Sequence, residues 1–140
     1  DWSTKRLANA NAIWSAAKKL NGLRVPDLTC GGCQNKCDRK VGCNHAAYKC
    51  YVFVKGTEAD RDAIMASINQ QGVPCFSGSC SEVYMERAFD NTNFQPKERL
   101  PHAKLLGETS LMFLCHPTLT KGEIQKTCEV MTSVVTDYFG

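Results

Sequence analysis

A short segment of the chain concentrates cysteine, the side chain best suited to bind a soft metal ion. The segment reads TCGGCQNKCDRKVGCNH and contains Cys30, Cys33, Cys37 and Cys43, with His45 at its end. Thiolates in a C-x2-C turn, here with two glycines between them, can converge on one side of a tetrahedral zinc ion. The spacing therefore predicts one structural zinc ion held by the four cysteines, with His45 as an alternative ligand in place of Cys43.

The same thiols are open to other chemistry. Iron–sulfur clusters also use cysteine ligands, and the thiols could remain reduced or form one or two disulfides. Zinc is favoured because the polar loop at about residues 27–45 has almost no apolar side chains of its own. Ligation to a metal ion offsets the entropy that such a loop loses on ordering.

The number of cysteines limits the class of protein. Nine is an odd number, so complete intramolecular pairing is impossible and a secreted disulfide scaffold is disfavoured. Cys50, Cys115 and Cys128 lie in apolar patterns, where cysteine behaves as a small buried hydrophobe. With no secretory signal visible at Asp1, these features predict a cytoplasmic protein.

The composition is that of a globular domain. Hydrophobic residues make up 43% of the 140 residues and charged residues 22%, the usual proportions for such a domain. No apolar run approaches the length that spans a bilayer. The net charge of +3 is spread over several segments, so we expect neither a membrane nor a nucleic-acid partner.

Helical and extended patterns alternate in the first half of the chain. The first helix is predicted to begin with Ser3 as its cap and to end at Gly22. A strand rich in aromatic and β-branched residues follows over residues 46–56. Thr57 and Asp60 form the capping-box-like start of a second helix.

The second half repeats the alternation. VPCF predicts a second strand, and Ser81 is expected to cap a short helix over residues 82–89. Pro101 suits the first turn of another helix, and SLMFLC predicts a third strand. Thr120 and Glu123 form a capping box that opens the last helix. Its apolar face is expected to hold Ile124, Cys128, Met131 and Val135.

This order predicts an α/β (α+β) fold with a small sheet of about three strands packed against helices. No composition shift or linker divides the sequence. We therefore expect a single domain over residues 1–140, interrupted only by the cysteine-rich loop.

Several blocks of the sequence together resemble one enzyme family. They are DWSTKRLANANAIWSAAKKLNGLRVP, HAAYKCYVFV with RDAIMASINQQGVPC, GVPCFSGSCSEVYMERAF, and ERLPHAKLLGETSLMFLCHPTLTKGEIQKTCEVM. In order and spacing they are similar to the C-terminal part of the DegT/DnrJ/StrS family of pyridoxal-phosphate-dependent sugar aminotransferases. The resemblance covers nearly the whole chain apart from the cysteine loop.

The resemblance implies the C-terminal small domain of a fold-type-I enzyme whose large N-terminal domain is missing from this chain. That large domain would carry the lysine that binds pyridoxal phosphate and most of the phosphate cradle. The parent enzyme would transfer an amino group from an amino-acid donor to a nucleotide-linked keto-sugar, as a homodimer. The present chain alone is then expected to be inactive, with no catalytic residue of its own.

The resemblance also implies which residues face the substrate. The loop FSGSCSE would supply Ser77, Ser79 and Glu82 to hold sugar hydroxyls or the amino donor. His45, Tyr48 and His116 border similar strands and are further candidates for substrate binding. The plainer alternative is that the two serines belong to a turn, that Glu82 begins a helix and that the histidines are structural.

Two functions of different classes follow. The first is the substrate-binding small domain of a sugar aminotransferase. The alternative is a zinc-binding, cysteine-rich module that interacts with a protein partner, built on an aminotransferase-like scaffold. The resemblance over most of the chain favours the first.

Overall fold

The computed structural model describes residues 1–28 and 45–140. The four cysteines predicted to bind zinc fall in residues 29–44 and lie outside the described residues. None of the helices in the described ranges combines the length and the apolar character needed to cross a membrane.

Four short antiparallel strands form the sheet seen in the described residues. They are β1 (Leu23–Arg24), β2 (Cys50–Val54), β3 (Cys75–Phe76) and β4 (Ser110–Phe113), in the spatial order β1-β2-β4-β3. The α/β class is thereby confirmed, with one more strand than the three expected. The additional strand is β1, where Leu23 and Arg24 pair with Val54 and Phe53 at the edge of β2.

One face of this sheet carries the core. In β2 every second residue is buried, as the two-residue period of a strand requires. Cys50, Val52 and Val54 pack with Leu111 and Phe113 of β4 under the helices. On the opposite face Tyr51 and Phe53 are half-buried, and the guanidinium of Arg24 lies 4.3 Å from the centre of the Phe53 ring.

Helix α1 (Trp2–Ala17) differs from the prediction at both ends. The predicted Ser3 cap is wrong, because the Asp1 carboxylate accepts the backbone N–H of Ser3 at 3.2 Å and caps the helix. Gly22 does not end the helix either; it lies in the turn before β1, with its carbonyl bonded to the N–H of Lys55. A side chain at Gly22 would collide with the ring of Phe139, so close packing explains the glycine.

Helices α2 (Glu58–Gln70) and α4 (Lys121–Phe139) confirm both predicted capping boxes. In each, the cap threonine accepts the backbone N–H of the acidic residue three positions on, whose carboxylate accepts the N–H of the threonine. The predicted face of α4 is also confirmed: Ile124, Met131 and Val135 are buried and Cys128 is half-buried.

The predicted short helix over residues 82–89 is instead two 3-10 turns, Val83–Met85 and Arg87–Phe89. The expectation that Ser81 caps it is wrong, since no side chain caps either turn. Extended backbone at Glu86 separates them. Helix α3 (Pro101–Thr109) follows with Pro101 in its first turn, as predicted.

The five cysteines in the described ranges are free thiols. Cys50 and Cys115 are fully buried, and burial raises the pKa of both. Burial also raises the pKa of Cys75, to about 12. These thiols therefore act as small apolar side chains, which confirms the prediction for Cys50 and Cys115.

Candidate functional site

The loop after β3 lines a surface groove of about 520 Å³. Residues 77–82 form one wall, and α2 contributes Glu58 and Arg61. Gly107 of α3 and residues 85–87 complete it. Three serine hydroxyls and several charged groups therefore share one concave surface. Such a surface can hold a polar ligand.

The loop is attached to the open face of the sheet by Ser79. Its hydroxyl accepts a hydrogen bond from Lys49 Nζ at 3.1 Å and lies 3.3 Å from the Tyr51 hydroxyl. Gly78 adopts φ 99°, a conformation that glycine reaches without strain. A side chain at Gly78 would also meet the Tyr51 ring. Both features hold the loop against β2.

A buried arginine supports the other side of the groove. The Arg61 side chain is only 6% exposed and forms ion pairs with Glu58 at 3.2 Å and Asp62 at 2.7 Å. It also donates to the carbonyl oxygens of Gly107 at 3.0 Å and Ser110 at 3.5 Å. Arg61 therefore ties α2 to the end of α3 and the start of β4.

Ser110 continues this network into the loop. Its hydroxyl donates a hydrogen bond to the carbonyl oxygen of Ser77. Ser110 is the first residue of β4 and is only 6% exposed. Ser81 in turn lies so close to Gly107 that any side chain at Gly107 would overlap its hydroxyl. The loop is thus fixed at both ends by neighbours far apart in sequence.

Glu82 is already occupied by protein partners. Its two carboxylate oxygens accept from Nε and Nη2 of Arg99 at 2.7 and 2.6 Å. The Tyr84 hydroxyl donates to the same carboxylate at 2.7 Å and accepts the N–H of Leu100 at 2.9 Å. These hydrogen bonds, chiefly from Arg99, lower the pKa of Glu82 to about 2. Glu82 therefore fastens the segment around Arg99 to the groove wall.

Cys80 and Glu86 form a further polar pair in the groove. The Cys80 thiol donates to Glu86 Oε1 at 3.2 Å. This hydrogen bond is the main reason why the pKa of Cys80 is raised. The thiol is therefore a donor in the groove rather than an activated nucleophile.

The remaining three predicted residues lie elsewhere. Tyr48 and His116 line a second cavity together with Lys49, and His116 Nδ1 lies 2.8 Å from the Thr118 hydroxyl. His45 lines neither cavity. Its Nδ1 accepts the N–H of Ala47 at 3.0 Å, and its ring meets Trp14 edge-on at 5.8 Å. His45 thus supports the turn at Ala47, whose φ is 46°.

Sequence reasoning missed Arg61, Gly107 and the Cys80–Glu86 pair. For Arg61 a signal existed, because Arg61, Ile64 and Ile68 follow helical spacing on the buried face of α2. A charged residue on a buried helix face requires partners. Gly107 and Ser81 carried no such signal, since their contact joins residues that are distant in sequence.

Pyridoxal phosphate requires a lysine amine and a set of free donors for its phosphate group. On this face the Arg61 donors are taken by two carboxylates and two carbonyls. The amine of Lys49 donates to Ser79. The residues on this face therefore do not fit the cofactor by themselves.

Comparison with known proteins shows which structures this fold is similar to. No protein-family model and no curated protein sequence matches the chain. An aminotransferase structure from Psychrobacter cryohalolentis matches all of it with 46% identity and a TM-score of 0.82. A DegT/DnrJ/EryC1/StrS aminotransferase from Brucella abortus matches 95% of the chain with 20% identity and a TM-score of 0.72. Over its whole length the chain is therefore similar to an aminotransferase, and it shares the fold of a DegT/DnrJ/EryC1/StrS aminotransferase.

The chain is similar to one part of each of these longer proteins. It spans 36% of the Psychrobacter aminotransferase and 31% of the Brucella protein. NtdA from Bacillus subtilis, solved with bound cofactor PMP, has the same fold over 96% of the chain, with 16% identity and a TM-score of 0.66. About a third of the length of these aminotransferases therefore corresponds to the present fold.

Proposed function

We propose that this chain is the C-terminal domain of a pyridoxal-phosphate-dependent aminotransferase that acts on nucleotide-linked keto-sugars. The observation that carries the proposal is the 46% identity with an aminotransferase over the whole chain. The groove next to the loop of Ser77 and Ser79 is consistent with it, because hydroxyl groups on a supported loop can bind a polyhydroxylated ligand.

In this proposal the chain binds and orients, and the rest of the longer protein supplies the lysine and the cofactor. The cofactor stabilises negative charge at the carbon that exchanges the amino group. Ser77 and Ser79 face the sugar, and Glu82 positions the groove wall through Arg99. Tyr48 and His116 lie at a neighbouring cavity. His45 supports the turn before β2 and is the least suited of the predicted residues to contact substrate.

The partners follow from the same proposal. They are an amino-acid donor, a nucleotide-sugar acceptor, the larger N-terminal domain and a second subunit. A cytoplasmic location also belongs to the proposal and is supported by free thiols at all five cysteines in the described ranges.

Zinc remains a proposal of its own. The candidate ligands Cys30, Cys33, Cys37 and Cys43 lie outside the described residues. Within residues 1–28 and 45–140, no group of three or more histidine, cysteine or acidic side chains could hold a metal ion. The proposed zinc site therefore depends on these four cysteines, with His45 as the alternative to Cys43, and has a structural role.

The test is a transfer assay on the longer protein that carries this chain, with glutamate as donor. Nucleotide-linked keto-sugars should be better acceptors than simple 2-oxo acids. The Ser79→Ala variant should raise KM for the sugar about tenfold with a smaller effect on kcat, because a hydroxyl contact to the substrate is lost. Ser133→Ala, at an exposed position on α4, is the matched control.

Preference for 2-oxo acids would contradict the substrate class, and no amino transfer with any acceptor would contradict the proposal as a whole. The isolated chain offers a separate test. Mixed with pyridoxal phosphate it should give no stable visible absorbance from a bound lysine, since in this proposal that lysine belongs to the rest of the longer protein.

A further inference from the structure

A second cavity lies beside the first turns of α1 and the end of β4. Its volume is about 320 Å³, at the lower end of the range for pockets that bind metabolites. Its apolar lining comes from α1, from β4 and from the residues that follow β4, namely Trp2, Met112, Phe113, Leu114, Cys115 and Pro117. Apolar surface therefore dominates one side of the cavity.

The polar side chains of the cavity comprise two cations and two groups that can donate or accept a hydrogen bond. They are Arg6, Tyr48, Lys49 and His116. No aspartate or glutamate is among the described residues that line it. Charge complementarity therefore favours an anion over a neutral or cationic ligand.

Arg6 lacks the partners that the comparable arginines have. Its Nε is buried and has no hydrogen-bond partner among the described residues, and Nη2 has one long contact to the Ser3 hydroxyl at 3.5 Å. Arg61 and Arg99, in contrast, are each paired with carboxylates. Among the described residues no carboxylate pairs with Arg6, so the charge of its guanidinium group can be balanced by a ligand in the cavity.

We propose that this cavity binds a small organic carboxylate with a flat apolar body. A carboxylate matches the planar fork of the Arg6 guanidinium. Trp2 and Tyr48 are 71% and 75% exposed at the cavity, and their rings can stack on a flat ligand. This site goes beyond the proposed amino transfer and does not depend on it.

The cavity is also connected to the groove. Lys49 lines the cavity, and its amine donates to Ser79 of the groove loop at 3.1 Å. A carboxylate that attracts the Lys49 amine would weaken this hydrogen bond. The backbone amide of Ser79 is therefore a second reporter of binding, apart from the cavity itself.

The test titrates the 140-residue chain with benzoate and follows backbone NMR signals. Benzoate should shift the amides of Leu114, Cys115 and His116, whereas benzyl alcohol and benzylamine should not. Arg6→Gln should weaken benzoate binding by about tenfold or more, because a charge-assisted bidentate contact is lost. Arg24→Gln, a cation on the open sheet face over Phe53, is the matched control and should bind benzoate normally.

The Arg6→Lys variant is a second test in case Arg6→Gln fails to fold, since it keeps the positive charge and loses only the planar guanidinium fork. Its affinity for benzoate should fall between that of the wild-type chain and that of Arg6→Gln. Equal shifts with benzyl alcohol, or unchanged affinity in both Arg6 variants, would overturn the proposal. Loss of benzoate binding in the longer protein would overturn it too, because the cavity would then be filled by another part of that protein.

Discussion

The hydroxyl of Ser110 donates a hydrogen bond to the carbonyl oxygen of Ser77, and so joins the first residue of β4 to the groove loop. Because Arg61 binds the carbonyl of the same Ser110, one residue connects a buried cation with the surface that faces the groove. The shape of the loop therefore depends on the interior of the domain.

Replacing Ser110 with alanine should loosen the loop without unfolding the domain. The carbonyl of Ser77 loses its partner, and we expect a loss of about 1 kcal/mol in the free energy of unfolding. Hydrogen exchange at the amides of residues 78–81 should become faster. Ser133→Ala should change neither quantity, and unchanged exchange in Ser110→Ala would show that the hydroxyl does not hold the loop.

Replacing Arg61 with alanine should lower the free energy of unfolding, measured in urea, by about 3 kcal/mol. The carbonyls of Gly107 and Ser110 lose their donor, whereas Glu58 and Asp62 are 59% and 56% exposed and can be solvated. Arg61→Met keeps the buried alkyl part and should lose less. Arg87→Ala, at an exposed position, serves as control. A loss as small as that of the control would mean that Arg61 does not join α2 to α3.

The ion pair between Glu82 and Arg99 should make stability fall in acid. Hydrogen bonds lower the folded-state pKa of Glu82 from 4.5 to about 2. The stabilisation is therefore fully present above pH 4.5 and is lost as the pH falls through about 2. Carboxyl NMR shifts should place the midpoint near that value. Arg99→Gln should move it upward, and a wild-type midpoint near 4.5 would contradict the pairing.

The cysteine-rich loop should bind one zinc ion. Native mass spectrometry under reducing conditions should show the added mass of one zinc, which a chelator removes. Cys33→Ser should abolish the binding, whereas Cys80→Ser, outside the loop, should preserve it. A chain that takes up no zinc at stoichiometric concentration would contradict the site.

Local signals in the sequence predicted several elements correctly. Thr57 and Thr120 mark the starts of α2 and α4 because a capping box is formed by residues only three positions apart. Where competing caps were close together the prediction failed, since Asp1 and not Ser3 caps α1. The buried Cys50 and Cys115 could also be predicted, because apolar neighbours surround them in the sequence.

The groove was only partly predictable. Ser77, Ser79 and Glu82 were identified through the family resemblance, and all three line the groove. The partners that hold them were not, because Lys49, Arg99 and Ser110 reach the loop from distant parts of the chain. The same limit applies to the pairing of Arg61 with Gly107.

The sequence by itself determined the element types, most of the buried faces and the resemblance to aminotransferases, because these depend on short-range periodicity, on capping and on blocks of similar residues. Tertiary structure alone decided that Glu82 is bound by Arg99, that His45 packs on Trp14 and that Arg6 has a buried, unpartnered nitrogen. The physical reason is that hydrogen bonds and burial depend on distance in space, and folding brings together side chains whose separation in sequence carries no signal.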